Sequence, residues 1–121
     1  MRALGQRLRG RGWKPERVLV SRYFRTQQTA ALVLDGLAVA PEIVDELLPD
    51  GSPAKAAGAL AARLEAASHA LLVGHQPLLG LLLEWWTGVP GHFSPGEFVA
   101  VEFAADLGPH DGRVAERIAP P

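Results

Sequence analysis

The chain contains no cysteine among its 121 residues, so it can form neither a disulfide bond nor a thiolate metal site. It also lacks an apolar run of about 18 residues, the length that a membrane-spanning helix needs. Its first residues are charged and include no apolar core segment, so the sequence does not predict a signal peptide. Together these absences favour a cytoplasmic protein that does not enter a membrane.

Acidic residues are nearly absent from the first part of the chain, where Glu16 is the single acid before Asp35. Basic residues are frequent there, at Arg2, Arg7, Arg9, Arg11, Lys14, Arg17, Arg22 and Arg25. A basic arm of this kind can contact nucleic acid or an acidic protein. No platform of aromatic side chains is interleaved with it, so the favoured interpretation is a solvated helix face and nucleic acid is not a favoured partner.

The composition is that of a globular protein, with 48% hydrophobic and 21% charged residues and a net charge of −1. This length fits one domain. We predict a single domain over residues 1–118, followed by a loose tail over residues 119–121.

Helical and strand patterns alternate along the chain. Apolar residues at helical spacing predict helices over residues 1–11, 26–37, 54–67 and 78–86. Short apolar runs predict strands over residues 17–21, 42–44, 70–73, 98–103 and 113–118. Ser52 and Pro53 are suited to the cap and first position of the third helix. The alternation predicts a three-layer α/β/α fold whose mostly parallel sheet is followed by an antiparallel hairpin.

Two of the predicted strands end in side chains that can bind an anion. Arg25 follows Val18–Val20 and a short loop, and His75 follows Leu71–Val73 and one glycine. Ligands of open α/β sheets bind at the carboxyl ends of the strands, and a guanidinium matches a phosphate with two hydrogen bonds. The pair predicts a site for a phosphate. A surface arginine and a structural histidine are equally weighted alternatives at this point.

The remaining candidates are weaker. Asp45 and Glu46 follow the predicted 42–44 strand, where a carboxylate could act as a general acid, although a solvated acidic loop is favoured. His69 precedes the 70–73 strand, at the end opposite to His75, and His92 and His110 lie in predicted loops. No histidine pair has metal-ligand spacing, and neither a phosphate-binding P-loop nor a dinucleotide-binding glycine motif occurs. We therefore expect no metal and no cofactor.

Three blocks of the sequence resemble the histidine phosphatase superfamily, also called the phosphoglycerate mutase-like family. Val18-Leu19-Val20-Ser21, followed by Arg25-Thr26-Gln27-Gln28-Thr29-Ala30, resembles its second-strand block S-P-x-x-R-A-x-Q-T. Leu72-Val73-Gly74-His75-Gln76-Pro77-Leu78 resembles its fourth-strand block V-x-H-x-P. Between them, Glu46-Leu47-Leu48-Pro49-Asp50-Gly51 resembles the segment E-L-x-P-x-G of the small SixA type. The blocks stand in the family's order along essentially the whole chain, with short connections that favour the SixA type.

The resemblance implies a phosphatase that acts on phosphohistidine or a small phosphoester. A histidine in an R-H-G motif of the family's first strand attacks the phosphoryl group, and water hydrolyses the phosphohistidine. The resemblance further implies that Arg25 binds the phosphoryl oxygens, that His75 stabilises the transferring group, and that Glu46 lies near the position of an acid in some relatives. Substrate binding would rest on Arg25 and His75. The implied partner is a phosphorylated small molecule or a phosphohistidine protein.

Two positions depart from the family's pattern. Arg22 stands where the family has proline, and no Arg-His-Gly occurs anywhere in the chain. The resemblance therefore implies that the first strand is missing, with a gap left inside the sheet and two exposed inner edges. The favoured interpretation is an N-terminally incomplete sequence that is inactive as given. The alternative is a non-catalytic phosphate-binding or interaction module, and the exposed edges leave a homodimer open.

Overall fold

The computed structural model describes residues 2–65, 67–92 and 94–120. Its four α-helices are α1 (Arg2–Gly10), α2 (Phe24–Val33), α3 (Pro53–Leu64) and α4 (Leu78–Thr87). The strands are β1 (Arg17–Val20), β2 (Pro41–Ile43), β3 (Ala70–Val73), β4 (Phe98–Phe103) and β5 (Gly112–Ile118), and a 3-10 helix covers Asp45–Leu47. The predicted order of helices and strands is confirmed.

The first three strands form a parallel sheet in the order β2-β1-β3. β1 is its middle strand, with Val18, Leu19 and Val20 all at 0% exposure. Strands buried on both faces are continuous apolar runs, which is why this segment could be assigned from sequence. β4 and β5 form a separate antiparallel hairpin with a register shift between Ala100 and Val101.

The helices cover two faces, and each face has its own apolar core. One core joins α1 and α2 to Val18, Val20 and Leu71, together with Ile118 of the hairpin. The other joins α3, α4 and the 3-10 helix to Leu19. Because successive side chains of a strand point to opposite faces, β1 contributes to both cores. The predicted α/β/α layering is confirmed.

Two helices, α2 and α3, differ from the prediction by more than one residue at an end. α2 begins at Phe24 rather than at Thr26 and ends at Val33 rather than at Leu37. It ends early because the chain turns tightly: Leu37 N–H donates to Leu34 O at 2.7 Å and Gly36 has φ +87°. α3 ends at Leu64 rather than at Ala67. Its predicted start is confirmed, since Ser52 Oγ accepts from Lys55 N–H at 3.4 Å and Pro53 opens the helix. The predicted helix positions Met1 and Ala66 lie outside the described residues.

The sheet layer is interrupted between β3 and the hairpin. Within residues 2–65, 67–92 and 94–120, no strand pairs with the free edge of β3 or with the second edge of β4. The gap that the resemblance implies therefore lies at this place. The described part of the chain also contains no helix long and apolar enough to cross a membrane.

Candidate phosphoryl-binding site

The carboxyl ends of β1 and β3 lie side by side. The two strands are parallel neighbours with Val20 opposite Val73, and the ladder continues one residue further, where Ser21 N–H donates to Val73 O at 3.1 Å. The loops that follow the two strands therefore leave the sheet at the same edge. This register brings Arg25 and His75 to one place, as the sequence predicts.

His75 is held by the loop that follows β1. Its Nε2 lies 2.9 Å from Ser21 Oγ, and Ser21 is completely buried. The ring of Tyr23 contacts the imidazole edge-on, with 5.0 Å between the ring centroids. Ser21 is therefore a site residue, although in the sequence it stands out only as the last residue of the block that resembles the family's second strand. Its position directly after β1, opposite the end of β3, was the available signal.

The pKa of His75 is lowered from its ordinary value, first by burial and then by the positive charge of Arg25. Both causes disfavour the imidazolium form, so His75 is neutral at neutral pH and carries one ring proton. Tyr23 N–H approaches Ser21 Oγ at 3.4 Å, and the serine hydroxyl, with one proton and two lone pairs, can either donate to Nε2 or accept from it. When the hydroxyl donates, the ring proton is on Nδ1, which has no hydrogen-bond partner in the described part of the chain and can donate to a ligand.

Arg25 lies exposed on the first turn of α2. In the described ranges its guanidinium makes no ion pair and no hydrogen bond, so all of its donors are available to a ligand. The turn beneath it is fixed by Thr26, which is buried and whose Oγ1 lies 2.9 Å from Ser21 O and 2.7 Å from Tyr23 O. The anchored turn thus holds a free cation beside His75.

Two helices begin at this edge of the sheet. α2 starts after Tyr23, whose side chain makes no capping hydrogen bond, and α4 starts three residues after His75. Neither helix has an acidic residue in its first turn, while Gln76 Oε1 accepts from Gly80 N–H at 3.0 Å and caps α4. Helix N-termini carry partial positive charge, so the backbone adds to the attraction for an anion.

The other candidates lie elsewhere. Glu46 is exposed on the 3-10 helix after β2, and in the described residues it makes no hydrogen bond or ion pair with Arg25 or His75. β1 lies between β2 and β3, so Glu46 leaves the sheet on the side of β1 away from His75. His69, His92 and His110 are all exposed. Among the described side chains, no group of three or more His, Asp or Glu could hold a metal ion.

Comparison with solved structures identifies the fold. The protein histidine phosphatase SixA, solved in complex with tungstate, superimposes with a TM-score of 0.86 at 28% identity, over 98% of this chain and 78% of that one. This chain has the SixA-type histidine phosphatase fold. A putative phosphohistidine phosphatase SixA from Nakamurella multipartitia gives 0.75 at 26% identity, again over 98% and 78% of the two chains. No protein-family model and no curated protein matches the sequence.

A third SixA structure shows how far the fold extends beyond sequence likeness. The putative phosphohistidine phosphatase SixA from Agrobacterium tumefaciens has a TM-score of 0.79 at 19% identity, over 98% of this chain and 77% of its own. At this identity the likeness concerns the fold alone. All three SixA chains extend beyond the region that this chain matches.

Proposed function

We propose that this SixA-type domain belongs to a phosphatase. The enzyme removes phosphate from phosphohistidine or a small phosphoester through a phosphohistidine intermediate. The observation that carries the proposal is the juxtaposition of a neutral histidine and an arginine that has no ion pair among the described residues, at the ends of two neighbouring parallel strands. The likeness to SixA phosphatases at 26–28% identity supports phosphohistidine as the substrate class. It favours catalysis over the alternative of a phosphate-binding module without activity.

Each part of the site has a chemical task in phosphoryl transfer. The fork of Arg25 can donate two parallel hydrogen bonds to phosphoryl oxygens. His75 can donate from Nδ1 to a third oxygen while Ser21 holds its other nitrogen. Donors fixed before the reaction stabilise the charge on a transferring phosphoryl group without reorganisation during the step. Glu46 remains a proposed acid without a contact that supports it.

The nucleophile is the part of the chemistry that this chain does not provide. A phosphohistidine intermediate needs a histidine in line with the leaving group. His75 is engaged by Ser21, and the three other histidines are exposed outside the site. We therefore propose that Arg25 and His75 bind and stabilise the phosphoryl group. The nucleophilic histidine must come from residues other than these 121.

The test is phosphate release from a phosphohistidine peptide, with a phosphoserine peptide for comparison. The 121-residue chain is compared with the same chain preceded by a strand segment that ends in Arg-His-Gly, the motif that the family resemblance implies. The extended protein should release phosphate, and Arg25→Ala and His75→Ala should each reduce the rate at least tenfold. A folded extended protein that binds tungstate yet releases no phosphate from either peptide would refute the proposal.

Three finer properties belong to the same proposal. The substrate is a phosphohistidine protein or a phosphorylated small molecule, which competition between the two in the release assay would decide. We propose a cytoplasmic location, which the absence of cysteine supports, to be checked by cell fractionation. We propose a homodimer on the free sheet edges, and sedimentation at several protein concentrations would detect it.

A further inference from the structure

Large apolar side chains are exposed mainly at the edge of the sheet that carries the candidate site. Among the described residues, the exposed side chains of this kind are Tyr23, Phe24, Ile43, Leu81 and Val89. Tyr23 and Phe24 follow β1, and Ile43 is the last residue of β2. Leu81 is the fourth residue of α4, which starts at this edge, whereas Val89 lies past the other end of α4. Single exposed apolar residues need no explanation, but several at one edge are typical of an interaction surface.

Three consecutive exposed residues, Arg22, Tyr23 and Phe24, lie between β1 and Arg25, and we refer to them as the rim. Phe24 is 74% and Tyr23 48% exposed, and Tyr23 also contacts the ring of His75. The guanidinium of Arg22 has no ion pair and no hydrogen bond within residues 2–65, 67–92 and 94–120. Because Arg22 stands where the resembled family has proline, this cation is a feature of this chain. Tyr, Phe and Arg are the residue types that protein interfaces favour.

The backbone beneath the rim is fixed. Gln27 Nε2 donates to Arg22 O at 2.9 Å. The backbone N–H groups of Thr26 and Gln27 both donate to Tyr23 O, at 3.1 and 3.2 Å. Phe24 begins α2 directly on this anchored turn. Binding orders little of a segment that is already held in place, so Phe24 is suited to anchor a partner.

The charges at this edge are divided between two loops. Arg22 and Arg25 follow β1, whereas the loop after β2 carries the exposed acids Asp45, Glu46 and Asp50. β1 and β2 are parallel neighbours, so a positive and a negative region lie side by side. A nucleic acid would bring its phosphates against the acidic loop, while a protein surface can match charges of both signs. The polarity therefore favours a protein as the partner.

The exposure of the site also favours a large partner. Small ligands are for the most part buried in the pocket that binds them, whereas Arg25 and Phe24 are both exposed. A small phosphoester offers little apolar surface that could cover the Phe24 ring. In a phosphohistidine protein, a single side chain separates the phosphoryl group from the backbone. Binding of that group beside His75 would therefore bring the surrounding protein surface against the rim.

We propose that the rim is a docking surface for the protein that carries the phosphohistidine, and that Arg22 and Phe24 determine which protein surfaces are accepted. Around its phosphohistidine, the partner carries aliphatic side chains that cover the Phe24 ring and an Asp or Glu that pairs with Arg22. Tyr23 lies between these two residues and contacts His75, so docking and phosphoryl binding meet at one side chain. This inference rests on the proposed function, because the phosphohistidine enters the same site.

The experiment measures the binding of two synthetic peptides to the 121-residue chain. Each peptide carries a non-hydrolysable triazole phosphonate in place of phosphohistidine, flanked by Leu and Glu in the first peptide and by Ser and Lys in the second. Tungstate, which reports on the phosphoryl site alone, is titrated in parallel.

The variants are Phe24→Ala and Arg22→Ala, each with a matched control. Val89→Ala removes an exposed apolar side chain beyond the far end of α4. Lys14→Ala removes an exposed positive charge before β1, at the opposite edge of the sheet. Both controls are compared with the rim variants in every titration.

We expect the Leu/Glu peptide to bind at least tenfold more tightly than the Ser/Lys peptide. Phe24→Ala should weaken the Leu/Glu peptide about tenfold, and Arg22→Ala should remove most of the preference for Glu over Lys. Both variants should keep the tungstate affinity within about twofold, and the two controls should change neither ligand. Normal tungstate binding with equal peptide affinities in Phe24→Ala and Val89→Ala would overturn the rim alone. An unsubstituted chain that binds neither tungstate nor peptide would refute the anion site of the proposed function, and the rim with it.

Two further measurements distinguish other occupants of the rim. A phosphorylated single-stranded oligonucleotide that binds more tightly than the Leu/Glu peptide, and that loses affinity in Phe24→Ala, would assign the ring to base stacking. Self-association that Phe24→Ala abolishes, detected by sedimentation, would assign the rim to a second copy of the chain. We expect neither result, and either one would overturn the proposed partner.

Discussion

The contact between Ser21 and His75 provides the sharpest test of the local geometry. Ser21→Ala removes the 2.9 Å hydrogen bond between a fully buried hydroxyl and a half-buried ring, together with the longer 3.4 Å contact from Tyr23 N–H. A typical hydrogen bond contributes about 0.5–1.5 kcal/mol net, and water can reach the half-buried imidazole in part. We therefore expect a loss of about 1 kcal/mol in the free energy of unfolding. Because the bond also holds the ring in place, we expect roughly fivefold weaker tungstate binding, the equivalent of about 1 kcal/mol.

Nitrogen NMR of the imidazole separates this role from a general loss of stability. In the unsubstituted protein His75 should carry its proton on Nδ1 as one dominant tautomer, whereas Ser21→Ala should give a mixture of tautomers. Ser68→Ala, at an exposed serine whose side chain makes no hydrogen bond within the described residues, is the control and should change neither signal nor affinity. A dominant Nε2–H tautomer in the unsubstituted protein, or unchanged nitrogen signals in Ser21→Ala, would refute the reasoning.

Two further predictions concern pH and helix packing. Burial and Arg25 lower the pKa of His75 in the free protein, whereas a bound dianion raises it. Tungstate should therefore bind more tightly as the pH falls from 8 toward and below about 6.5. Binding should be coupled to proton uptake, which calorimetry in two buffers measures. His75→Asn should remove this dependence, and an unchanged pH profile in that variant would contradict it. A Cβ on Gly5 would lie 2.1 Å from the backbone oxygen of Val33, so Gly5→Ala should force α1 and α2 apart and lower the unfolding free energy by roughly 2 kcal/mol or more. Gly58 lies in the middle of α3, and a Cβ added there would meet no atom within 4 Å. Gly58→Ala should therefore raise the unfolding free energy by about 0.5–1 kcal/mol. Equal urea midpoints for the two variants would count against this packing of α1 on α2.

The parts of the fold that could be predicted are those where local pattern and burial agree. β1 and β3 are continuous apolar runs, and the predicted limits of β3 match the structure. Ser52 with Pro53 marked the start of α3 because capping depends on neighbouring residues alone. The position of Arg25 beside His75 followed from the rule for strand ends in parallel sheets.

The remaining features depend on contacts between distant residues. The partnership of Ser21 with His75 joins residues 54 positions apart and needs the register of β1 with β3. The end of α2 was misplaced because the apolar spacing continues through Leu34 and Leu37, while the tight turn at Gly36 stops the helix. Glu46 was a candidate because of its sequence neighbours, and the strand order places it on the far side of β1.

The central claim is that Arg25 and His75 bind a phosphoryl-like anion together. The direct measurement is a tungstate titration of the chain followed by NMR, comparing Arg25→Ala with Arg22→Ala. Both arginines are exposed on the same loop and helix start, so the pair differs in site geometry and not in net charge. A hydrogen bond to a charged group contributes about 1.5–3 kcal/mol, and solvent exposure favours the lower end of this range. Arg25→Ala should therefore weaken tungstate binding about tenfold or more. Arg22→Ala should leave the tungstate affinity within about twofold of the unsubstituted protein. Equal affinities in the two variants, or tungstate shifts that leave His75 unmoved, would contradict the account.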